Sequence, residues 1–265
     1  MLYDNSNFLF FEEDTKKTHY RIFNPDGNNR IVVLPDFFYP SSVYYPFCDL
    51  LSSNNFSVCT LDYFGRGNSE ISCEKPVFNC QLYANQVIAL LGHINWNNIT
   101  IVGISYGSII IDEILKTKST LFSKCIHISP NNGLRSCLSY FMKAIMPLKK
   151  VYDWYIPRFL PHNIPRFVYD EMSNPVGQSQ LYWTIVSSLM HQINTNKSFY
   201  PSLSYKGSEK CVKQVDKSHI YLFENITSQI RDSSRISDED VYGNLVAIED
   251  SEMVVNRILR DGQFS

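Results

Sequence analysis

Gly103-Ile104-Ser105-Tyr106-Gly107 lies between an apolar run, Ile99 to Ile104, and an amphipathic run, Ser108 to Leu115. A strand-type run, a Gly-x-Ser-x-Gly turn and a helix-patterned segment in that order place the serine at a sharp strand-to-helix junction. The glycines have a mechanical reason. The chain must reverse so tightly that a side chain two residues to either side of the serine would collide with its neighbours. Ser105 then stands at a helix N-terminus, where backbone N–H groups can meet negative charge developing on an oxygen. With eleven glycines in 265 residues the pentapeptide alone can arise by chance, so its weight comes from the strand and helix around it.

A second segment, Phe56-Ser-Val-Cys-Thr-Leu-Asp62-Tyr63-Phe64-Gly65-Arg66-Gly67-Asn68-Ser69, lies upstream of that turn. It resembles the Asp-x-x-Gly-x-Gly-x-Ser signature of the α/β-hydrolase superfamily, and with the serine turn it makes the chain look like a member of that group. The resemblance implies that this segment ends the strand preceding the nucleophile strand and that Asp62 bonds loop amides. Its role is structural.

The resemblance covers most of the chain. Arg30-Ile-Val-Val-Leu-Pro35-Asp36-Phe37-Phe38 looks like the family's first central strand and the oxyanion loop after it. Phe8 to Phe11 and Tyr20 to Phe23, separated by Lys16-Lys17-Thr18, read as an antiparallel edge hairpin. Cys125-Ile-His-Ile-Ser129, Ile220-Tyr-Leu-Phe223 and Leu245-Val-Ala-Ile248 are three further runs of strand type. Helical spacing appears in Phe78, Leu82, Val87, Leu91 and in Val254, Val255, Ile258, Leu259. Strands alternating with helices predict an α/β fold, here the α/β-hydrolase fold, with a mostly parallel central sheet covered by helices on both faces.

Between Pro130 and Lys217 the strand rhythm stops, and the composition turns aromatic, proline-punctuated and helical. The expected organisation is a core of residues 1–129 and 218–265 with a helical cap, or lid, inserted at 130–217. Such a cap supplies apolar walls above the serine and so selects the substrate. Tyr140, Phe141, Ile145, Trp154, Tyr155, Phe159, Phe167, Tyr182 and Trp183 are the candidates for that lining. Helix-spaced aromatics also serve simply to pack a cap onto its core, and that alternative stands beside the first.

A chain of 265 residues that is 44% hydrophobic buries a large core within one domain. A net charge of −2 with scattered basic residues argues against a nucleic-acid surface, and no run approaches the roughly 18 apolar residues of a membrane span. Met1-Leu-Tyr-Asp-Asn offers no basic region followed by an apolar stretch, so the expectation is a soluble cytoplasmic protein without a secretory signal. Seven cysteines, an odd number with no Cys-x-x-Cys pair, read as reduced thiols rather than disulfides or metal ligands. No cofactor and no metal are expected.

Three places depart from the family's pattern. The family's catalytic histidine follows the last strand, but here that loop is Glu249-Asp250-Ser251-Glu252-Met253, with the final helix directly after it. Thr227 falls where the acid is expected, with Glu224 early and Asp232 late. Pro35-Asp36 replaces the usual His-Gly pair of the oxyanion loop. The N–H groups of Phe37 and Tyr106 are the expected oxyanion donors, and a carboxylate beside them would oppose an oxyanion unless Asp36 points away. His19 and His93 are expected at the surface and His127 and His219 in or beside the core, leaving His162 and His191 of the cap as substitutes for the missing base.

Two function classes follow. One is a serine hydrolase or acyltransferase acting on an apolar ester or thioester through an acyl-Ser105 intermediate. The other is a non-catalytic protein that binds a small apolar acyl ligand, or a protein partner, beneath its cap. The absent base separates them, because removing a triad histidine costs on the order of 10⁶ in turnover.

Overall fold

The computed structural model describes residues 6–11, 16–72, 77–118, 120–130, 149–172, 179–199, 212, 218–225, 241–242 and 245–262. In chain order the elements are β1 (Ser6–Phe11), β2 (Lys16–Phe23), β3 (Asn29–Leu34), α1 (Tyr45–Ser53), β4 (Phe56–Leu61), β5 (Glu70–Ile71), α2 (Cys80–His93), β6 (Ile99–Ile104), α3 (Gly107–Leu115) and β7 (Phe122–Ile128). Then follow α4 (Lys149–Glu171), α5 (Ser179–Thr195), β8 (His219–Leu222), β9 (Glu224–Asn225), β10 (Val241–Tyr242), α6 (Val246–Glu249) and α7 (Ser251–Gly262).

The main sheet has the order β1-β2-β4-β3-β6-β7-β8, with β5 added to β2. Pairing from β4 to β8 is parallel, and β1 and β2 form the expected antiparallel hairpin at one edge. Strands β4 and β6 are buried at every position, which is why their sequences run apolar without alternation. Strand β3 lies between β4 and β6, so the crossover through α1 and the crossover through α2 leave in opposite directions. Right-handed connection then puts the two helices on opposite faces and opens a crevice at the C-terminal ends of β3 and β6. Pro35 to Phe37 and Ser105 both emerge there.

One expected strand is a helix. Leu245 to Ile248 forms the entry and body of α6, and the main sheet ends at β8 among the described residues. A four-residue apolar run carries no period that separates strand from helix. All four side chains are buried, in a turn of helix that packs with α7 and α1. Another expectation fails at His19, which is buried rather than solvated because its Nδ1 lies 2.8 Å from Asp62 Oδ2. His93 is exposed and His127 fully buried, as expected.

Helices α4 and α5 occupy the segment expected as a cap. Tyr182 donates to the Pro165 carbonyl at 3.0 Å and so joins α5 to α4. The end of α5 is fastened to the core by buried polar groups. Gln192 accepts from Gly67 N–H at 2.6 Å and donates to the Phe38 carbonyl at 3.2 Å. Asn196 donates to the carbonyls of Gly67 and Ser69, at 2.8 and 3.1 Å.

No described helix is long and apolar enough to cross a membrane. Cys48, Cys59, Cys80 and Cys125 are buried thiols outside any disulfide, in keeping with reduced cysteines, while Cys73, Cys137 and Cys211 lie outside the described residues. Among the described residues no three metal-ligating side chains gather.

His127 generates a prediction. Its Nε2 lies 3.1 Å from His219 Nδ1, and its ring stacks on Tyr221 at 4.4 Å. Burial first, and the neighbouring His219 second, pull its pKa from 6.5 down to about 3. As pH falls between those values the unfolded chain takes up a proton that the folded chain refuses, so stability drops by about 1.4 kcal/mol per pH unit. Urea unfolding across that window should give a shallower dependence for His127→Gln than for the parent, by about one proton. Equal slopes would contradict the assignment.

Candidate active site

The serine turn is built as the residues dictate. Ser105 N–H still bonds the Ile128 carbonyl of β7 at 2.8 Å, and its backbone then enters the left-handed region with φ of 52°. For a residue other than glycine that conformation costs about 1 kcal/mol or more, so the surroundings must impose it. They do so by close approach. A Cβ on Gly103 would lie 2.6 Å from Ser108 N, and a Cβ on Gly107 would overlap the Leu34 carbonyl of β3. Ser108 closes the turn by donating to the Gly103 carbonyl at 3.0 Å.

Ser105 is fully buried, and its Oγ has no hydrogen-bond partner among the described residues. All six histidines are among the described residues, and none bonds it. His19 is held by Asp62, and His127 pairs with His219. His162 and His191, the cap residues considered as substitute bases, are exposed on α4 and α5. The loop expected to carry the family's histidine is a corner between two helices. Asp250 caps α7 by accepting from Met253 N–H at 3.0 Å, and Ser251 donates to the Ala247 carbonyl at 2.7 Å. Glu224 belongs to the short strand β9, which pairs with β10 outside the main sheet. Thr227 and Asp232 lie outside the described residues.

The oxyanion loop holds the feature that decides the electrostatics. Asp36 does not point away. Its Oδ1 accepts from Tyr106 N–H at 3.3 Å, and the adjacent Phe37 N–H favours its charged form. Both amides expected to hold an oxyanion therefore act on a carboxylate of the chain itself. Burial pushes the Asp36 pKa up, while those two amides, the Ser105 hydroxyl and the Arg66 charge pull it back. The serine hydroxyl is near enough to favour the charge without reaching hydrogen-bond geometry.

Arg66 went unread in the sequence, as a variable position of the Asp62 to Ser69 signature. Its guanidinium is wholly buried, with Nε donating to the Phe37 carbonyl at 2.5 Å and Nη1 to the Gly65 carbonyl at 2.9 Å. It lies 4.1 Å from the Phe37 ring centroid and 4.9 Å from that of Phe199, a cation held between two aromatic faces. A single arginine inside a glycine turn gives no periodic signal. Its position becomes meaningful only once β3 and β4 are adjacent.

Asp62 does what the signature implies. Its carboxylate accepts from Ser41 N–H at 2.6 Å and from Asn68 N–H at 3.0 Å. Around Tyr106, the rings of Phe37, Tyr63 and Tyr83 pack edge to face at 4.9 to 6.4 Å, and Tyr106 OH meets Cys80 Sγ at 3.3 Å. Among the described residues, the rings packed on Tyr106 come from the core segments. Trp154 and Trp183 are 55% and 58% exposed, and Phe159 is exposed too, so none of the three forms an enclosed wall. Tyr182 is half-buried. Tyr140, Phe141 and Ile145, and the side chains of Tyr155 and Phe167, lie outside the described residues.

The chain has the α/β-hydrolase fold. It is similar to an α/β-hydrolase fold protein from Burkholderia ambifaria, with a TM-score of 0.71, 14% identity and coverage of 98% of this chain and 99% of that one. An esterase from Rhodococcus gives a TM-score of 0.70 at 12% identity, covering 98% and 100% of the two chains. An enzyme that degrades N-acyl homoserine lactones gives 0.68 at 13%, covering 97% and 100%. No protein-family model and no curated protein matches the sequence. At these identities the likeness extends to the fold and not to the chemistry.

The close approach of the turn to β3 is testable. Gly107→Ala should cost about 3 kcal/mol in urea unfolding, because the added methyl meets strand backbone rather than a side chain that can turn away. A loss below about 1 kcal/mol would mean that the turn relaxes freely.

Proposed function

We propose that this chain is a binding protein on the α/β-hydrolase fold, taking a small apolar acyl, ester or thioester ligand beneath its cap without turning it over. The observation that carries this reading is that six histidines are accounted for and none bonds Ser105. A serine hydroxyl without a base is a poor nucleophile at neutral pH, and loss of the base removes on the order of 10⁶ of catalysis. The Asp36 carboxylate on the Tyr106 amide works in the same direction, since it opposes negative charge on a second oxygen there. Retention of the glycine turn does not argue for catalysis by itself, because the fit of Gly107 against β3 gives it a packing reason. Four buried cysteines outside any disulfide support a reducing, cytoplasmic setting.

A second reading is favoured by the left-handed backbone of Ser105, which is strain of the kind stored at functional sites. On that reading the chain is an esterase, thioesterase or acyltransferase, and Ser105 Oγ attacks the carbonyl carbon. Phe37 and Tyr106 N–H would hold the oxyanion, and water or a second acceptor would release the acyl group. The base would then be a group other than imidazole.

A fluorophosphonate probe separates the two. The expected outcome is slow or no labelling of the parent, together with ester and thioester hydrolysis no greater than that of Ser105→Ala. Rapid stoichiometric labelling that Ser105→Ala abolishes would overturn the binding-protein reading in favour of the hydrolase.

A further inference from the structure

Two N–H groups from separate loops act on the buried Asp36 carboxylate: Tyr106 after β6 donates to it at 3.3 Å, and Phe37, its neighbour after β3, favours its charge. Strand adjacency in the sheet brings them together, so the convergence is a property of the fold rather than of one turn. Arg66, wholly buried, fixes the same loop through the Phe37 carbonyl and places its charge where it favours the Asp36 anion. Two further buried hydroxyls, Ser105 Oγ and Tyr63 OH, have no hydrogen-bond partner. Both interact with the carboxylate electrostatically, the serine favouring its charge and the tyrosine being held protonated partly by it.

A buried carboxylate on an inward-facing amide, its charge favoured by a second amide and by a buried guanidinium, is the arrangement of a bound small anion, except that the anion is tethered. We propose that Asp36 is an intramolecular plug in an anion site, occupying the place that a free monocarboxylate such as formate would take on the Phe37 and Tyr106 amides. Removing the side chain leaves a buried cation without that counter-charge and an inward-facing amide without its acceptor, and both losses are costly in a low-dielectric interior. The emptied site therefore favours an anion small enough to fill it. The inference holds whether or not Ser105 reacts with esters, and its test reads binding rather than turnover.

The full-length Asp36→Ala variant is compared with the parent by thermal unfolding in formate and in chloride at matched ionic strength. The variant should unfold at a lower temperature than the parent and recover a large part of the loss in formate, saturably, but not in chloride. The parent, with its plug in place, should gain nothing specific from formate. Formate stabilising the parent as much as the variant, or a folded variant responding alike to both salts, would overturn the proposal. Asp36→Asn keeps an acceptor of the same shape and serves if Asp36→Ala does not fold. The amide proton resonances of both Phe37 and Tyr106 should move in Asp36→Asn, because a neutral acceptor polarises them less, and unchanged resonances at both would equally overturn it.

Discussion

The carboxylate of Asp62 is the point on which the surroundings of the serine depend. It binds His19 from β2, the Ser41 amide from the segment after β3 and the Asn68 amide from its own loop. The backbone carbonyl of the same residue accepts from Ser69 Oγ at 2.7 Å and from Gln86 of α2 at 3.0 Å. Three segments distant in sequence, β2, the stretch after β3 and α2, are thus tied to one residue and its loop. All of these ties but the one from Asn68 are fully buried, and a buried carboxylate that lost its partners would cost several kcal/mol. The loop that Asp62 holds carries the two residues through which everything else is fastened, Arg66 to the oxyanion loop and Gly67 to the end of α5.

From that anchor the electrostatics of the site follow. Arg66 is immobilised between rings and carbonyls, so its charge is a fixed feature of the interior. That charge favours the ionised form of Asp36 on the neighbouring loop, against the burial that disfavours it. Where a triad enzyme keeps its donor amides open for charge that appears only during reaction, the Tyr106 amide here faces Asp36 in the resting state. The serine turn and its glycines are present, and none of the six histidines bonds Ser105. These observations agree with one another and are the ones on which the proposed binding function rests.

Much of this was legible in the residues. The Gly-x-Ser-x-Gly turn, the Asp62 signature and the edge hairpin announce themselves through local rules of sterics and alternation, and each stands where expected. The absence of histidine from the Glu249 to Met253 loop was also plain, since a missing residue type needs no geometry to be noticed. Leu245 to Ile248 was misread as a strand, because four consecutive apolar residues fit a buried strand and a buried helical turn equally well. His19 was misread as exposed. Its burial depends on Asp62, forty-three positions away in sequence, and no local pattern reports that pairing.

What the sequence determined by itself is therefore the fold and the identity of the strained serine, because both arise from short-range constraints: tight turns that demand glycine, and apolar runs that demand cover. What only the tertiary structure decided is the state of the site. Whether Asp36 faces away from the donors or onto them, whether His162 and His191 turn inward or outward, and whether Arg66 is solvated or entombed all depend on which strands lie side by side. Charges and hydrogen bonds act across space between residues far apart along the chain. Their outcome is set by the packing that brings those residues within a few ångströms of one another, and sequence spacing does not record it.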